Sequence, residues 1–323
     1  ANSWPRAYCT YNSKNNRNMW LSMTLFSSCF LWSTILGGDT VLVKGLPEDC
    51  GKRPDTQTPT DKYKKGKHEA PANSWPSHVG VYSSIYGAYP FCGGTLISPT
   101  WVVTAAHCVV PSGYFNCIPI GKPFTYKQFD DNELAVLVGG HNHTHRGPTS
   151  YLVKVKHIVI HPKYNLEFPS LGHDVALLKL QREVKRSKNV DFACLPEYGF
   201  KVTIGDSCYL AGWGLISYPP NEPIEDQPDV LMEMQMPIVD PSRCMEKHVG
   251  FDEKNHCCTD RTYGPTCTGD SGGGLYYFTE EEGTWVLYGV DSYSAASCLG
   301  EFTVHTLTES VRFWIKDTVV AHN

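Results

Sequence analysis

The sequence lacks the charge imbalance that nucleic-acid-binding proteins and proteins of anionic membranes usually carry. Its 323 residues contain 28 Lys and Arg against 33 Asp and Glu, a formal net charge of -5 at pH 7. Only 19% of the residues are charged and 41% are hydrophobic. This composition is ordinary for a globular core and excludes disordered and collagen-like chains. We therefore expect no nucleic-acid partner and no stable membrane association.

Cysteine is too scarce for a small scaffold built of disulfides. The 13 cysteines are nevertheless many for a protein of a reducing compartment. This balance predicts a secreted, extracellular protein whose hydrophobic core is assisted by disulfides.

The N-terminal part of the chain has the features of a leader. An apolar stretch diluted by Ser and Thr, Met19–Leu36, follows Arg17 and precedes two glycines, as in a secretory signal. We interpret 1–38 as leader and signal peptide, with a membrane anchor as the alternative because the stretch approaches spanning length. Residues 39–68 are poor in large apolar side chains and rich in lysine, which predicts an exposed propeptide or linker.

Downstream of this linker the sequence consists of short β-branched and aromatic runs interrupted by Gly and Pro. Runs such as ELAVLVGG, YLVKVKHIVI and DVALLKL are typical of an antiparallel all-β sandwich or pair of barrels. One helix is predicted at the C-terminal end, where Val311, Trp314, Ile315 and Val319 share a helical face. The stretch 109–132 has no strong pattern, and we interpret it as a surface loop.

Three separate segments each hold a residue type that suits acyl-transfer chemistry. TAAHC places His107 at the end of a strand, and DVALLKL places Asp174 at the head of one, where a carboxylate could fix an imidazole tautomer. In CTGDSGG, glycines around Ser271 allow a sharp turn that can aim the amides of Gly269 and Ser271 at one point. Because a serine hydroxyl needs a base to take its proton, the three segments are informative only together.

The order His107, Asp174, Ser271 closely resembles that of the chymotrypsin-like serine proteases. The segments FCGGTLISPTWVVTAAHC, HDVALLKL, LAGWG and the final FWI-containing helix also match, so that the resemblance extends from about Glu69 to the C-terminus. It implies that residues 69–323 form two six-stranded antiparallel β-barrels with a C-terminal helix.

The resemblance also implies a role for each catalytic residue. His107 would be general base and then general acid, Asp174 would orient it, and Ser271 would attack the scissile carbonyl. Gly269 and Ser271 would supply the oxyanion-hole amides. Protein or peptide substrates and protein protease inhibitors are the expected partners, and no cofactor or metal is expected.

Two other interpretations of residues in the sequence are an α/β-hydrolase and a metal site. The string GDSGG also fits an α/β-hydrolase, for which Asp291 and His305 would be the downstream partners of Ser271. His141, His143 and His145 alternate along the sequence, so on a strand they would share one face, as the ligands of a metal site can. However, no Cys or carboxylate stands at the spacing expected of a further metal ligand. Asn142 begins an N-glycosylation sequon, Asn-His-Thr, which suits an exposed loop of a secreted protein.

The family resemblance implies a disulfide framework. Cys244 would pair with either Cys257 or Cys258, and we expect the spare one of these two to pair with Cys208, leaving Cys117 free. The other implied pairs are Cys50–Cys194, Cys92–Cys108 and Cys267–Cys298.

The sequence departs from the family at its activation site. Relatives are cut to expose an apolar start, whose new ammonium pairs with the aspartate before the nucleophile, here Asp270. In this chain Lys64–Lys67 stand where that start should be. An unpaired Asp270 is expected to turn outward and pull the Gly269 amide from the oxyanion hole.

The primary specificity pocket also departs from the trypsin-like pattern. Six positions before Ser271, where relatives that cleave after Lys or Arg have an acidic residue, stands Pro265. Ser294 and Thr303 replace wall glycines and would narrow the pocket. The residues expected to line it are Pro265, Thr266, Ser292, Ser294 and Thr303.

The sequence therefore predicts a secreted serine endopeptidase with a restricted pocket that does not prefer Lys or Arg. The alternative is a catalytically impaired homologue that acts by binding. The Lys64–Lys67 stretch and Pro265 favour that alternative, and the triad favours the enzyme.

Overall fold

A computed structural model of the chain describes residues 45–54, 66–111, 117–129, 132–216, 227–261, 266–294, 298 and 300–323. The predicted leader 1–38, most of the predicted linker and Pro265 lie outside the described residues. In the described ranges no helix is long and apolar enough to cross a membrane.

The described residues form an antiparallel all-β fold with two α-helices, which confirms the predicted fold class. The helices are α1 (Pro241–Lys247) and α2 (Thr308–Ala321). The strands are β1 (His68–Glu69), β2 (His78–Ser83), β3 (Cys92–Ser98), β4 (Trp101–Thr104), β5 (Leu134–Val138), β6 (Tyr151–Ile160), β7 (Ala176–Leu180), β8 (Ser207–Gly212), β9 (Met232–Pro237), β10 (His256–Asp260), β11 (Gly274–Thr279), β12 (Thr284–Ser294) and β13 (Phe302–Leu307).

Six strands close into the first barrel, in the order β2-β3-β4-β7-β6-β5. Strands β2, β3, β4 and β7 are buried along their whole length. Their Val, Leu and Ile side chains fill the interior, with Leu96, Val103 and Leu177 completely buried. This barrel agrees with the expectation from the sequence.

The second sheet is open, so the expected second closed barrel is wrong. Its seven strands run in the order β1-β9-β8-β11-β12-β13-β10. The edge strands are β1 and β10. Just after β9, the chain meets β10 through an isolated bridge between Ile238 and Thr259 and the hydrogen bond from the amide of Val239 to the carbonyl of Cys258. Strand β9 ends at Pro237, which has no N–H to donate, and β1 already pairs with Met232 and Glu233 on this strand. The ladder that would close the sheet is therefore missing.

Both helices follow from local signals, although only α2 was predicted. In α2, Val311, Ile315 and Val319 are completely buried, and Trp314 is partly buried against the core. The short helix α1 has Pro241 in its first turn and Asp240 as N-cap, whose carboxylate accepts from the amide of Ser242. Seven residues are too few for a helical period to stand out in the sequence.

Two stretches interpreted as exposed are packed against the body. In 45–54, Gly51 donates its amide to Phe192 and accepts from that of Trp285. In 117–129, Phe124 is buried and forms a bridge with Ile158. Each stretch is held by isolated contacts with distant strands, which local sequence patterns do not report.

Four disulfides join described residues, and they are the pairs that the family resemblance implies, with Cys258 as the partner of Cys244. Cys117, which was expected to be free, is also disulfide-bonded. The expected bond between Cys208 and the spare cysteine, Cys257, is not formed, and both residues are buried free thiols. The four bonds are Cys50–Cys194, Cys92–Cys108, Cys244–Cys258 and Cys267–Cys298.

Candidate active site

His107 and Asp174 meet because the strands that carry them are neighbours. Strands β4 and β7 are antiparallel, with Thr104 opposite Ala176. The end of β4 and the beginning of β7 therefore lie at the same rim of the barrel. His107 follows β4 in a short 3₁₀ turn, and Asp174 stands just before β7.

The His107–Asp174 pair has the geometry of an oriented imidazole. Nδ1 of His107 lies 2.7 Å from Oδ2 of Asp174, and the His107 amide donates to Oδ1 at 2.9 Å. Asp174 is buried, whereas the His107 side chain is 32% exposed. Since Nδ1 faces a carboxylate it carries the ring proton, which leaves Nε2 as a free base.

The environment separates the two pKa values of this pair. Burial lowers the pKa of His107, but the Asp174 charge and hydrogen bond raise it, and the net shift is upward. Burial raises the pKa of Asp174, but the His107 charge and the hydrogen bonds from His107 and Ser292 bring it below its ordinary value. The carboxylate therefore stays ionised where the imidazole titrates.

Contacts with the second sheet bring Ser271 to the same rim. The hydroxyl of Ser292, on β12, donates to Oδ2 of Asp174 at 2.6 Å, and that of Thr306, on β13, donates to its backbone carbonyl. Ser271 precedes β11, and its carbonyl accepts from the amide of Gly93 on β3 at 2.8 Å. These bonds tie the turn that bears Ser271 to the barrel that bears His107.

The turn around Ser271 presents two amides without acceptors. Asp270, Gly272 and Gly273 donate their amides to carbonyls within the fold. Within the part of the chain that the structure describes, the amides of Gly269 and Ser271 have no hydrogen-bond acceptor. Gly269 adopts a φ of 100°, which favours glycine. The turn thus has the donor pattern of an oxyanion hole.

The sulfur of Cys108 lies between the imidazole and the serine turn. It is 3.7 Å from Nε2 of His107 and 3.5 Å from the carbonyl oxygen of Ser271. Because this sulfur is bonded to Cys92, it has no proton to donate, and both distances are packing contacts. No hydrogen bond joins the Ser271 hydroxyl to His107 among the described residues; such bonds are often long before substrate binds.

Asp270 is paired, contrary to the expectation of an unpaired carboxylate that turns outward. It is completely buried, and the ammonium of Lys67 lies 2.7 Å from Oδ2 and 2.8 Å from Oδ1. The expectation is wrong because the side chain of Lys67 is long enough to bring its ammonium to this carboxylate, so that the two buried charges compensate each other.

The residues expected to line the pocket have different partners. The hydroxyls of Thr266 and Thr303 lie 3.1 Å apart and both residues are buried, and Ser294 is opposite Thr303 in the β12–β13 ladder. Ser292 differs, since its hydroxyl is bound to Asp174 instead of turned to a substrate. Pro265 lies outside the described residues.

The α/β-hydrolase reading is wrong, although its two candidate partners do meet. Nδ1 of His305 lies 3.2 Å from Oδ1 of Asp291, and Nε2 lies 2.9 Å from the hydroxyl of Thr259. His305 is completely buried, so its second nitrogen is occupied by Thr259 and not directed at Ser271. The ladders between the described strands are all antiparallel, so these residues do not form the parallel sheet that this hypothesis requires.

The alternating histidines have separate partners instead of a common centre. His141 is paired with Glu69, and His143 packs in edge-on contact with the ring of Tyr89. Asn142 accepts hydrogen bonds from the amide and hydroxyl of Thr144, so its sequon forms a compact turn.

Comparisons with known proteins agree with this geometry. The family model described as Trypsin matches residues 64–315. Human chymotrypsin-like elastase family member 3A is 32% identical over 257 residues, which cover 77% of this chain and 86% of the relative. Human member 3B is 31% identical over 278 residues, covering 84% and 94%. Member 1 from Macaca fascicularis is 32% identical over 264 residues, covering 80% and 90%.

Proposed function

This chain belongs to the chymotrypsin-like serine protease family, and from that premise we propose that it is a secreted serine endopeptidase acting through an acyl-enzyme. The observation that carries the proposal is the 2.7 Å contact between Nδ1 of His107 and Oδ2 of Asp174, beside the turn that bears Ser271. We also propose that the chain enters the secretory pathway through its leader, is glycosylated at Asn142 and binds protein protease inhibitors.

The proposed first step forms the acyl-enzyme. Nε2 of His107 removes the hydroxyl proton of Ser271, whose oxygen attacks the carbonyl carbon of the scissile bond. The charge that develops on the carbonyl oxygen is held by the amides of Gly269 and Ser271. Asp174 stabilises the imidazolium that results. Proton transfer from Nε2 to the amide nitrogen releases the amine and leaves an ester on Ser271.

The second step restores the enzyme. Nε2 of His107 removes a proton from water, and the hydroxide oxygen attacks the ester carbonyl. The carboxylic acid leaves as the proton returns from Nε2 to the oxygen of Ser271. No atom or electron is gained or lost by the protein over the cycle.

We propose that small aliphatic side chains are preferred on the acyl side of the scissile bond. The contact between the Thr266 and Thr303 hydroxyls supports a pocket that is constricted between its walls. The names of the relatives as elastases agree with this preference. Position 265 holds Pro, so it lacks the acidic side chain that would bind a Lys or Arg side chain of the substrate.

A panel of peptide nitroanilides that differ in this residue tests the proposal. We expect the wild-type chain, assayed intact and after cutting within 62–68, to hydrolyse Ala and Val peptides fastest. The Thr303→Gly variant should gain about 10- to 200-fold in kcat/KM for Phe relative to Ala, because the wall loses its side chain. Thr303→Ser, which keeps the hydroxyl, is the matched control and should gain less.

Three results would count against parts of the proposal. An absence of hydrolysis across the panel in both forms of the chain would contradict the endopeptidase and favour the binding homologue. A preference for Lys or Arg would contradict the restricted pocket. An unchanged Phe to Ala ratio in Thr303→Gly would remove Thr303 from the pocket wall.

A further inference from the structure

The ammonium of Lys67 is completely coordinated inside the second sheet. Its three N–H donors are matched by three acceptors: both oxygens of Asp270, at 2.7 and 2.8 Å, and the carbonyl of Gly214, at 2.7 Å. The two charged side chains are 3% and 0% exposed. A charge pair this deeply buried is retained only when its partners are fully satisfied.

The carboxylate of Asp270 is fixed as completely as the ammonium. Oδ1 also accepts from the amide of Gly214 at 2.9 Å, and Oδ2 accepts from the amide of Cys267 at 3.0 Å. Burial raises the pKa of Asp270, and the charge of Lys67 opposes that shift. Without Lys67 the carboxylate would lose its only ionic partner among the described residues and would need water or protonation in its place.

The fixed carboxylate lies within the turn that presents the two unbonded amides. Asp270 stands between Gly269 and Ser271, so the hydrogen bonds that anchor its side chain also restrain the backbone of residue 270 and the two neighbouring peptide planes. An Asp270 that rotated toward solvent would break its bonds with Gly214 and Cys267 and turn the Gly269 amide away. The bond between Lys67 and Asp270 therefore holds the donors in place.

We propose that Lys67 is a positioning residue, whose side-chain ammonium assembles the oxyanion hole in the uncut chain. This inference rests on the proposed function. Residues Gly66 and Lys67 are joined by an ordinary peptide link, and Lys67 continues directly into β1. The positive charge that pairs with the Asp270 carboxylate thus comes from a side chain and does not require a new amino terminus.

The coordination of Lys67 also argues against a second activating ammonium. A new terminus from a cut within 62–66 would have to reach a carboxylate whose four hydrogen bonds are already made. Two ammonium groups on one buried carboxylate would leave one positive charge uncompensated. Cutting the linker should therefore leave the activity unchanged.

The test compares Lys67 variants in a chain that lacks the other three lysines of the stretch 62–66 and is confirmed as uncut by N-terminal sequencing. In a background with Lys62, Lys64 and Lys65 replaced by Gln, Lys67→Met should lower kcat by about 10²–10³-fold, the effect of losing one oxyanion donor. KM should change little, because Lys67 does not contact substrate. Lys67→Arg should keep part of the rate.

A matched control removes a buried ammonium elsewhere. Lys179 lies in β7 and donates to Thr100 and Asn323. Lys179→Met should lower the unfolding temperature as Lys67→Met does but leave kcat unchanged. In Lys67→Ala, added n-butylammonium chloride should restore part of the lost kcat, which a purely structural defect would not allow.

Hydrogen exchange provides a readout that does not depend on activity. The amides of Gly214 and Cys267 donate to Asp270, so Lys67→Met should speed their exchange, while Lys179→Met should not. Equal exchange in the wild type and Lys67→Met would overturn the role of Lys67, whether or not the chain is an enzyme.

The activity measurements separate the two claims. Activity in the uncut wild type that Lys67→Met lowers supports both. Activity that appears only after cutting, or that Lys67→Met leaves intact, overturns the Lys67 inference and leaves the endopeptidase standing. A wild type inactive in both forms contradicts the endopeptidase, and the exchange measurement then decides on Lys67.

Discussion

Replacing His107 by alanine is expected to lower kcat for peptide hydrolysis by about 10⁶-fold, the scale seen when a triad base is removed. Its Nε2 is the only base that the proposed mechanism gives to Ser271. Its Nδ1 is held by Asp174 at 2.7 Å, so the ring is fixed in the orientation that frees Nε2. Substrate binding should survive, because the loss is confined to proton transfer, and KM is expected to stay within a few-fold.

The measurement is steady-state hydrolysis of the Ala nitroanilide, with His157→Ala as control. His157 lies in β6 and packs against Trp101, on the first barrel and outside the proposed active site. We expect its replacement to leave kcat unchanged. A His107→Ala variant that kept more than about a hundredth of the wild-type rate would contradict the role of His107 as general base.

Replacing Asp174 by asparagine is expected to lower kcat by about 10⁴-fold with the fold intact. The amide cannot stabilise the imidazolium, and it can donate to Nδ1, which would put the ring proton on Nε2 and block the base. The hydroxyl of Ser292 donates to the same carboxylate oxygen at 2.6 Å, but it is neutral and cannot replace the lost negative charge. Ser292→Ala, which keeps the carboxylate, should lose much less.

The pH profile of kcat/KM provides a second readout of Asp174. The pKa of His107 is raised in the wild type because the Asp174 charge and hydrogen bond outweigh the effect of burial. His107 must be neutral to act as a base, so the acid limb of the wild-type profile should lie above 6.5. In Asp174→Asn, burial still lowers the pKa of His107 and only the weaker effect of the Asp291 charge still raises it, so the limb should move to lower pH. A limb that does not move would contradict the pairing.

Much of the fold and site could be predicted because their signals are local. His107, Asp174 and Ser271 each stand in a short run whose strand, turn or glycine context is visible in the sequence. The C-terminal helix was predicted from Val311, Ile315 and Val319, whose spacing places them on one buried face. Strand runs and turn glycines report the same kind of information.

Contacts between distant residues were not predictable in the same way. The role of Lys67 depends on the contact between its long side chain and Asp270, which is distant in the sequence. The residue type alone indicates only that burying a lysine ammonium costs free energy of desolvation. Ser292 is predicted from the sequence to line the pocket. Its hydroxyl instead binds Asp174, because the direction of this side chain depends on how β12 packs against Asp174. The open second sheet depends on Pro237 at the end of β9, and its effect requires knowledge of the strand's neighbours.

The most direct test of the central claim is to treat the intact chain with a fluorophosphonate and locate the adduct by peptide mass spectrometry. A serine hydroxyl reacts with this reagent only when a base and oxyanion donors surround it. The account predicts one phosphonyl group per chain, on Ser271, and none on Ser271→Ala or on heat-unfolded protein. A native chain that stays unlabelled both intact and after cutting within 62–68, or an adduct on another residue that persists in Ser271→Ala, would contradict it.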